Sequence, residues 1–368
     1  MKGGEALLRS LVRGGVEVCF MNAGTSEMHV VAALDAVGGL RAVLGLFEGV
    51  VTGCADGYGR MAERPAATLL HLGPGLGNGI ANLHNARRAH TPVLNLVGDH
   101  ATYHRGLDAP LESDIESLAR PVSGWYRSCA RREELVGDVK EAIAAAIGPP
   151  GCVATLVVPA DLTWLKATTA APESAGEIAQ ATRGVSEDVL CEVQAALESK
   201  APCGLLLGGS ALRRRGLLAA GRIAARCGAK LLSEPFPARL EQGAGVVAIE
   251  RLAYFAELAS AQLAGLAHLV LVGGRRPVSP FAYPDLESDL VPQDCVLHVL
   301  SGPGEQAPAV LEELAEKIGA PKSPSGIARL GRDGLPSGEL SAAAAAGVIG
   351  ALLPEEAIVS DESITAGI

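Results

Sequence analysis

The chain has 368 residues, 48% hydrophobic and 20% charged, which is enough for two or three packed units and too apolar for a disordered protein. Its net charge is −10 and its densest basic cluster is only Arg213-Arg214-Arg215, read as a solvated helix start, so a nucleic-acid surface is excluded. Forty-five glycines beside 3% aromatic residues suit parallel α/β layers joined by tight turns.

Ala6, Leu7, Leu11 and Val12 share one face and predict a first helix. Short apolar runs follow at 16–20, 42–47, 67–72, 93–97 and 153–158, with a helix predicted over 134–147. Because these runs do not alternate, they are expected as strands buried on both faces of a parallel sheet. Periodicity fades after Lys166, so residues 168–185 read as a linker between a first domain, 1–167, and a second α/β domain, 186–325. Strands of the second domain are predicted at 204–207, 230–232, 269–272 and 296–300, with glycine turns at Gly208-Gly209-Ser210 and Gly273-Gly274-Arg275-Arg276. A second linker, 326–338, leads to a third unit, 339–368, read as a helix (339–353) and a strand (357–360) that ends in Asp361-Glu362-Ser363. One helix and one strand cannot bury a core, so this unit is expected either to dock on the others or to be the start of a truncated domain. The fold class is therefore α/β: two doubly wound parallel-sheet domains plus the start of a third.

Cys19, Cys54, Cys129, Cys152, Cys191, Cys203, Cys227 and Cys295 form no C-x-x-C pair and mostly sit in apolar runs, as reduced core residues do. The first residues show no secretory pattern, and no uncharged apolar stretch reaches the roughly 20 residues of a membrane helix. A cytoplasmic protein without membrane contact is expected.

Glu48 closes the apolar run 42–47 and opens a small-residue segment, Glu48-Gly49-Val50-Val51 through Ala55-Asp56-Gly57-Tyr58-Gly59, that can pack closely as a helix. A carboxylate there is costly unless it is paired or used. Desolvation raises a carboxyl pKa and suits it to proton work near neutral pH. The alternative is an acid stabilised by a helix dipole. Three polar segments fall after successive predicted strands, where open parallel sheets hold ligands: Asn22-Ala23-Gly24-Thr25-Ser26-Glu27, then Glu48, then His71-Leu72-Gly73-Pro74-Gly75-Leu76-Gly77-Asn78. Thr25 offers a hydroxyl to a ligand or bonds its own loop. His71 relays protons or is a satisfied core histidine. Asn78 orients a ligand ring or, the favoured reading, caps a helix. His100 and His104 are candidates for the rim. No H-E-x-x-H or similar spacing occurs, so no metal ligands are assigned.

These ordered motifs resemble the thiamine diphosphate (ThDP) enzymes of the acetolactate synthase and benzoylformate decarboxylase group. Residues 22–27 are similar to the family's Asn-Pro-Gly-Thr/Ser loop, and Leu70-His71 through Asn78 to its Gly-Pro-Gly segment, with a histidine placed as in benzoylformate decarboxylase. His90-Thr91-Pro92-Val93 looks like the helix-to-strand passage that follows. The likeness covers most of residues 1–165, the pyrimidine-binding domain, and more weakly 186–325, the central domain. It implies that Glu48 bonds N1′ of the aminopyrimidine and favours the imino tautomer that deprotonates the thiazolium C2, giving an ylide that attacks a 2-oxo acid. It implies catalytic roles for Glu48, His71 and Thr25, and cofactor contacts from Ala23, Gly24, Thr25, Glu48, Gly75 and Asn78, with Glu48 buried. The activity implied is that of an acetolactate synthase-like 2-oxo acid lyase or carboligase, or alternatively a benzoylformate decarboxylase-like enzyme. The implied assembly is a homodimer or homotetramer with an exposed apolar face around Glu48.

The pattern departs from the family in three places. Ala23 stands where the loop usually has proline, which loosens it. No adjacent His-His pair occurs, as pyruvate decarboxylases carry, which speaks against a simple decarboxylase. No Gly-Asp-Gly motif is present to hold the diphosphate and Mg²⁺, so those ligands are expected from a missing third domain or a separate chain. A non-catalytic subunit that binds through the same surface is the remaining reading. FAD, held by the central domain of acetolactate synthases, is not expected because G-x-G-x-x-G is absent.

Overall fold

The computed structural model describes residues 1–168, 184–331 and 334–362. The apolar runs form two parallel sheets. The first unit runs α1 (Gly3–Arg13), β1 (Val18–Asn22), α2 (Met28–Ala33), β2 (Arg41–Leu44), α3 (Glu48–Ala62), β3 (Ala66–Leu70), α4 (Leu72–Ala89), β4 (Val93–Asp99), α5 (Ile115–Ala119), β5 (Trp125–Ser128), α6 (Leu135–Ile147), β6 (Val153–Pro159) and α7 (Ala160–Trp164). Its strands are ordered β2-β1-β3-β4-β6-β5, all parallel. The second runs α8 (Glu187–Glu198), β7 (Cys203–Leu207), α9 (Arg214–Cys227), β8 (Lys230–Ser233), β9 (Glu250–Arg251), α10 (Ala256–Leu263), β10 (His268–Val272), β11 (Val296–Ser301) and α11 (Ala307–Lys317), with parallel order β11-β10-β7-β8-β9. Parallel neighbours need crossover helices, so both faces of each sheet are covered and each has an apolar core on either side.

In each sheet the chain winds outward one way and then returns past its first strand. The reversal lies between β1 and β3 in the first sheet and between β7 and β10 in the second. Crevices at carboxyl ends open at such reversals. In the second sheet the crevice is filled by the two glycine turns: a Cβ on Gly208 would stand 2.7 Å from Gly274 Cα. In the first it is lined by the polar segments singled out in the sequence.

Several expectations are corrected. β2 is not buried on both faces; it is the sheet edge and largely exposed, Leu44 being 72% accessible. β5 was not foreseen, because Trp125-Tyr126-Arg127-Ser128 is a polar edge strand whose Arg127 pairs with Asp138 and Glu141 on α6. The expected strand at 357–360 is not formed, since no sheet edge receives it. Its preceding helix, α12 (Ala342–Leu352), is present but has no buried residue. The two linkers and the third unit fall partly on 169–183, 332–333 and 363–368, outside the described residues.

Arg213 is not a solvated helix start. It donates to Glu63 Oε1 at 2.9 Å and to Arg239 O at 2.6 Å, and so joins the second sheet's loops to the end of α3. Arg275 makes the matching contact on α4, with Nη2 at 2.8 Å from His90 Nε2. Burial, then the Arg275 charge, push the His90 imidazole down, so Nε2 keeps the lone pair that accepts this bond. Glu63 and His90 are the left-handed residues that end α3 and α4, at φ 54° and 55°. Glycine would fit those caps with less strain, but only a side chain can reach the second sheet.

Asn95 lies at the centre of the first sheet and is fully buried. It accepts from Thr68 Oγ1 at 2.7 Å and donates to Thr155 Oγ1 at 3.0 Å, linking β3, β4 and β6. Asn95→Ala leaves the Thr68 hydroxyl without its partner and is expected to cost about 1–3 kcal/mol in urea unfolding.

Candidate active site

The crevice is built on positions without side chains. A Cβ on Gly24, in the turn after β1, would meet the His71 ring at 2.5–2.6 Å, so the loop backbone lies directly against the imidazole. α3 and α4 also pack closely. A Cβ on Gly79 would stand 2.8 Å from Thr52 Cγ2, and Asn82 Nδ2 donates to Gly49 O at 2.7 Å across the helix pair. This contact sets the start of α3 against the middle of α4.

Glu48 is the first residue of α3, with Phe47 as its cap residue, so the helix dipole favours its negative charge. Oε2 accepts from Asn78 Nδ2 at 3.0 Å, while Oε1 makes no hydrogen bond among the described residues. Gly75 separates Glu48 from His71: its would-be Cβ is 3.4 Å from Glu48 Oε1 and 3.5 Å from His71 Cβ. Contrary to expectation, Glu48 is not buried; it is half-buried. It opens onto the exposed side chains of Leu44, Leu46 (91% accessible), Phe47 and Val50, the apolar face expected around it.

Asn78 is not a cap. It lies within α4 and its amide holds Glu48. The capping position of α4 belongs to His71, and the Gly73-Pro74-Gly75 segment forms the helix's first turn rather than a loop. Leu72 starts that turn at φ 55°, a strained value for a bulky residue, held in place by its full burial. Thr25 is exposed, and its hydroxyl makes no hydrogen bond among the described residues. Ala23 packs on the apolar core beneath the turn. His100 and His104 lie face to tilted face at 5.1 Å beyond β4.

Sequence reading passed over Glu27. It is 1% accessible, and its Oε2 accepts from Gly24 N at 2.7 Å and lies 2.8 Å from His71 Nδ1. Its Oε1 is buried without a partner, walled by Gly98, where a Cβ would stand 1.7 Å from that oxygen. The signal was available: an acid three residues after Gly24, at the spacing of a capping box. Burial raises the Glu27 carboxyl, opposed by Gly24 N–H and His71.

Residues 1–118 match the family model described as thiamine pyrophosphate enzyme, N-terminal TPP binding domain. The whole chain is 55% identical to IlvX of Mycobacterium tuberculosis, provisionally described as an acetolactate synthase large subunit, and spans 70% of that protein. The chain belongs to the thiamine diphosphate enzyme family. Within it, the chain groups with the acetolactate synthases and benzoylformate decarboxylases. Over 177 residues it is 33% identical to the benzoylformate decarboxylase of Pseudomonas aeruginosa, covering 48% of this chain and 32% of that one. The fold is shared with the thiamine diphosphate-dependent 4-hydroxybenzoylformate decarboxylase of Rhodococcus jostii RHA1 at a TM-score of 0.76 and 24% identity, over 93% of this chain and 66% of that one.

The aminopyrimidine end of the cofactor fits the donor set present: Glu48 is half-buried, and its Oε1 makes no hydrogen bond among the described residues. Among the described residues no group of three or more acidic, His or Cys side chains could hold a metal ion. No described helix is long and apolar enough to cross a membrane.

A carboxyl raised on folding keeps its proton longer in the native state than in the unfolded chain. Stability therefore falls as pH rises from the unfolded value, about 4.3, through the higher native one. Glu27→Gln is expected to remove that slope. In urea unfolding the stability difference should move in the variant's favour as pH rises from about 4, then level off.

Proposed function

We propose that the chain supplies the aminopyrimidine half of a ThDP site in an acetolactate synthase-like 2-oxo acid lyase or carboligase. The observation that carries this reading is Glu48: a carboxylate at a helix start, one oxygen held by Asn78 and the other free, beside the turn at the β1/β3 reversal. Bound there, ThDP supplies an electron sink for cleaving or joining the carbon–carbon bond next to a 2-oxo group. Glu48 Oε1 holds a proton at the pyrimidine ring nitrogen. Asn78 fixes the direction of that carboxylate, and the Gly24 turn and Gly75 shape the wall. His71 offers Nε2, and Thr25 its free hydroxyl, to the substrate's oxygen atoms. The diphosphate and Mg²⁺ are assigned to residues outside those described. No nucleotide is assigned to the second sheet, whose crevice is filled by its glycine turns.

A benzoylformate decarboxylase-like activity is the second reading, favoured by one observation: a histidine at the end of β3 with a buried acid behind it, which suits proton delivery to a product.

The test is exchange of the ThDP C2 proton for deuterium, followed by NMR with and without the protein and Mg²⁺. Wild type should accelerate exchange, and Glu48→Gln should lower that acceleration by about 10²–10⁴-fold. Equal acceleration by wild type and Glu48→Gln would remove Glu48 from the chemistry.

The apolar face around Glu48 is assigned to a second copy of the chain, which would complete the burial of the carboxylate. Leu46→Glu is expected to weaken dimerisation at least about tenfold in sedimentation. The far-UV spectrum should not change, since Leu46 is exposed in the single chain.

A further inference from the structure

Glu27 is fully buried behind His71, and the lyase or carboligase reading gives it no role. We propose that Glu27 is a positioning residue that locks His71 in the Nδ1–H tautomer, so that Nε2 is the only ring nitrogen able to exchange a proton with an occupant of the crevice.

The argument is one of donors and acceptors. Glu27 Oε2 already accepts the Gly24 N–H at 2.7 Å, so it is the acceptor oxygen of the carboxyl, and His71 Nδ1 at 2.8 Å must donate to it. Oε1 is buried without a hydrogen-bond partner and is closed off by Gly98. The ionised carboxylate therefore accepts from both groups at Oε2, which sets the tautomer. The Gly24 backbone lies directly against the ring.

The other ionisable groups on the elements packed around this turn are engaged elsewhere. Asp99 on β4 pairs with Arg105 at 2.6 Å. Asp161 on α7 accepts from Thr102 N and Oγ1 at 2.9 and 2.6 Å. His29 on α2 stacks with Trp164, and Glu48 lies beyond Gly75. Glu27 is thus the only side chain bonded to the ring among the described residues.

The proposal rests on the reading of His71 above only for what the exchanged proton serves; the tautomer belongs to the chain by itself. The test is NMR of the intact protein with imidazole-¹⁵N histidine, His71 being assigned from a His71→Asn sample. Well above neutral pH, Nδ1 should be protonated and Nε2 bare. An Nε2–H form, or a mixture like that of a free imidazole, would overturn the proposal, and this measurement needs no variant of Glu27. Glu27→Leu removes the acceptor, and the single-tautomer signature should be lost. A Glu27→Leu protein that keeps pure Nδ1–H would overturn the assignment to Glu27. Failure of C2 exchange with the tautomer intact would sink the cofactor reading and leave this one standing.

Discussion

Close backbone approach at the β1/β3 reversal is the constraint on which the rest of the first domain depends. The turn after β1 can touch the His71 ring only because Gly24 has no side chain, and the Glu27 carboxyl fits against β4 only because Gly98 has none. α3 and α4 meet across Gly79 and Gly49, and Gly75 is all that stands between Glu48 and His71. Larger side chains would separate these parts by a few ångströms, enough to break the hydrogen bonds among them. The strained Leu72 backbone next to His71 belongs to the same arrangement: its cost, about 1–3 kcal/mol, is offset by burying the side chain.

The two acids of the crevice solve opposite problems. Glu27 is desolvated inside one chain and survives there by sharing one oxygen between an N–H and an imidazole. Glu48 stays half-solvated, on a helix dipole, at the border of an apolar face that a single chain leaves exposed. Covering that face would desolvate Glu48 and strengthen every interaction it makes.

The second sheet is positioned by contacts that start at the far ends of α3 and α4. Glu63 and His90 hold left-handed caps and bond Arg213 and Arg275. The helices that present Glu48 and His71 at one end are therefore bonded to the second unit at the other.

Much of this was legible in the residues. Unbroken apolar runs dictated buried parallel strands because a strand covered on both faces has no reason to alternate. The glycine-rich segments after β1 and β3 announced close backbone approach, and their order announced the family. Edges and partners were not legible. The polar β5 has no apolar signature, the run at 357–360 has the right composition but no sheet to join, and Asn78 reads locally as a cap yet bonds across to Glu48. Sequence by itself placed the polar segments after β1 and β3, since unbroken apolar runs give way to glycine and polar residues there. Which of them meet, that Glu27 rather than Thr25 backs His71, and that Glu48 remains half-exposed were decided only by tertiary structure, because burial and hydrogen-bond partners come from elements distant in the chain.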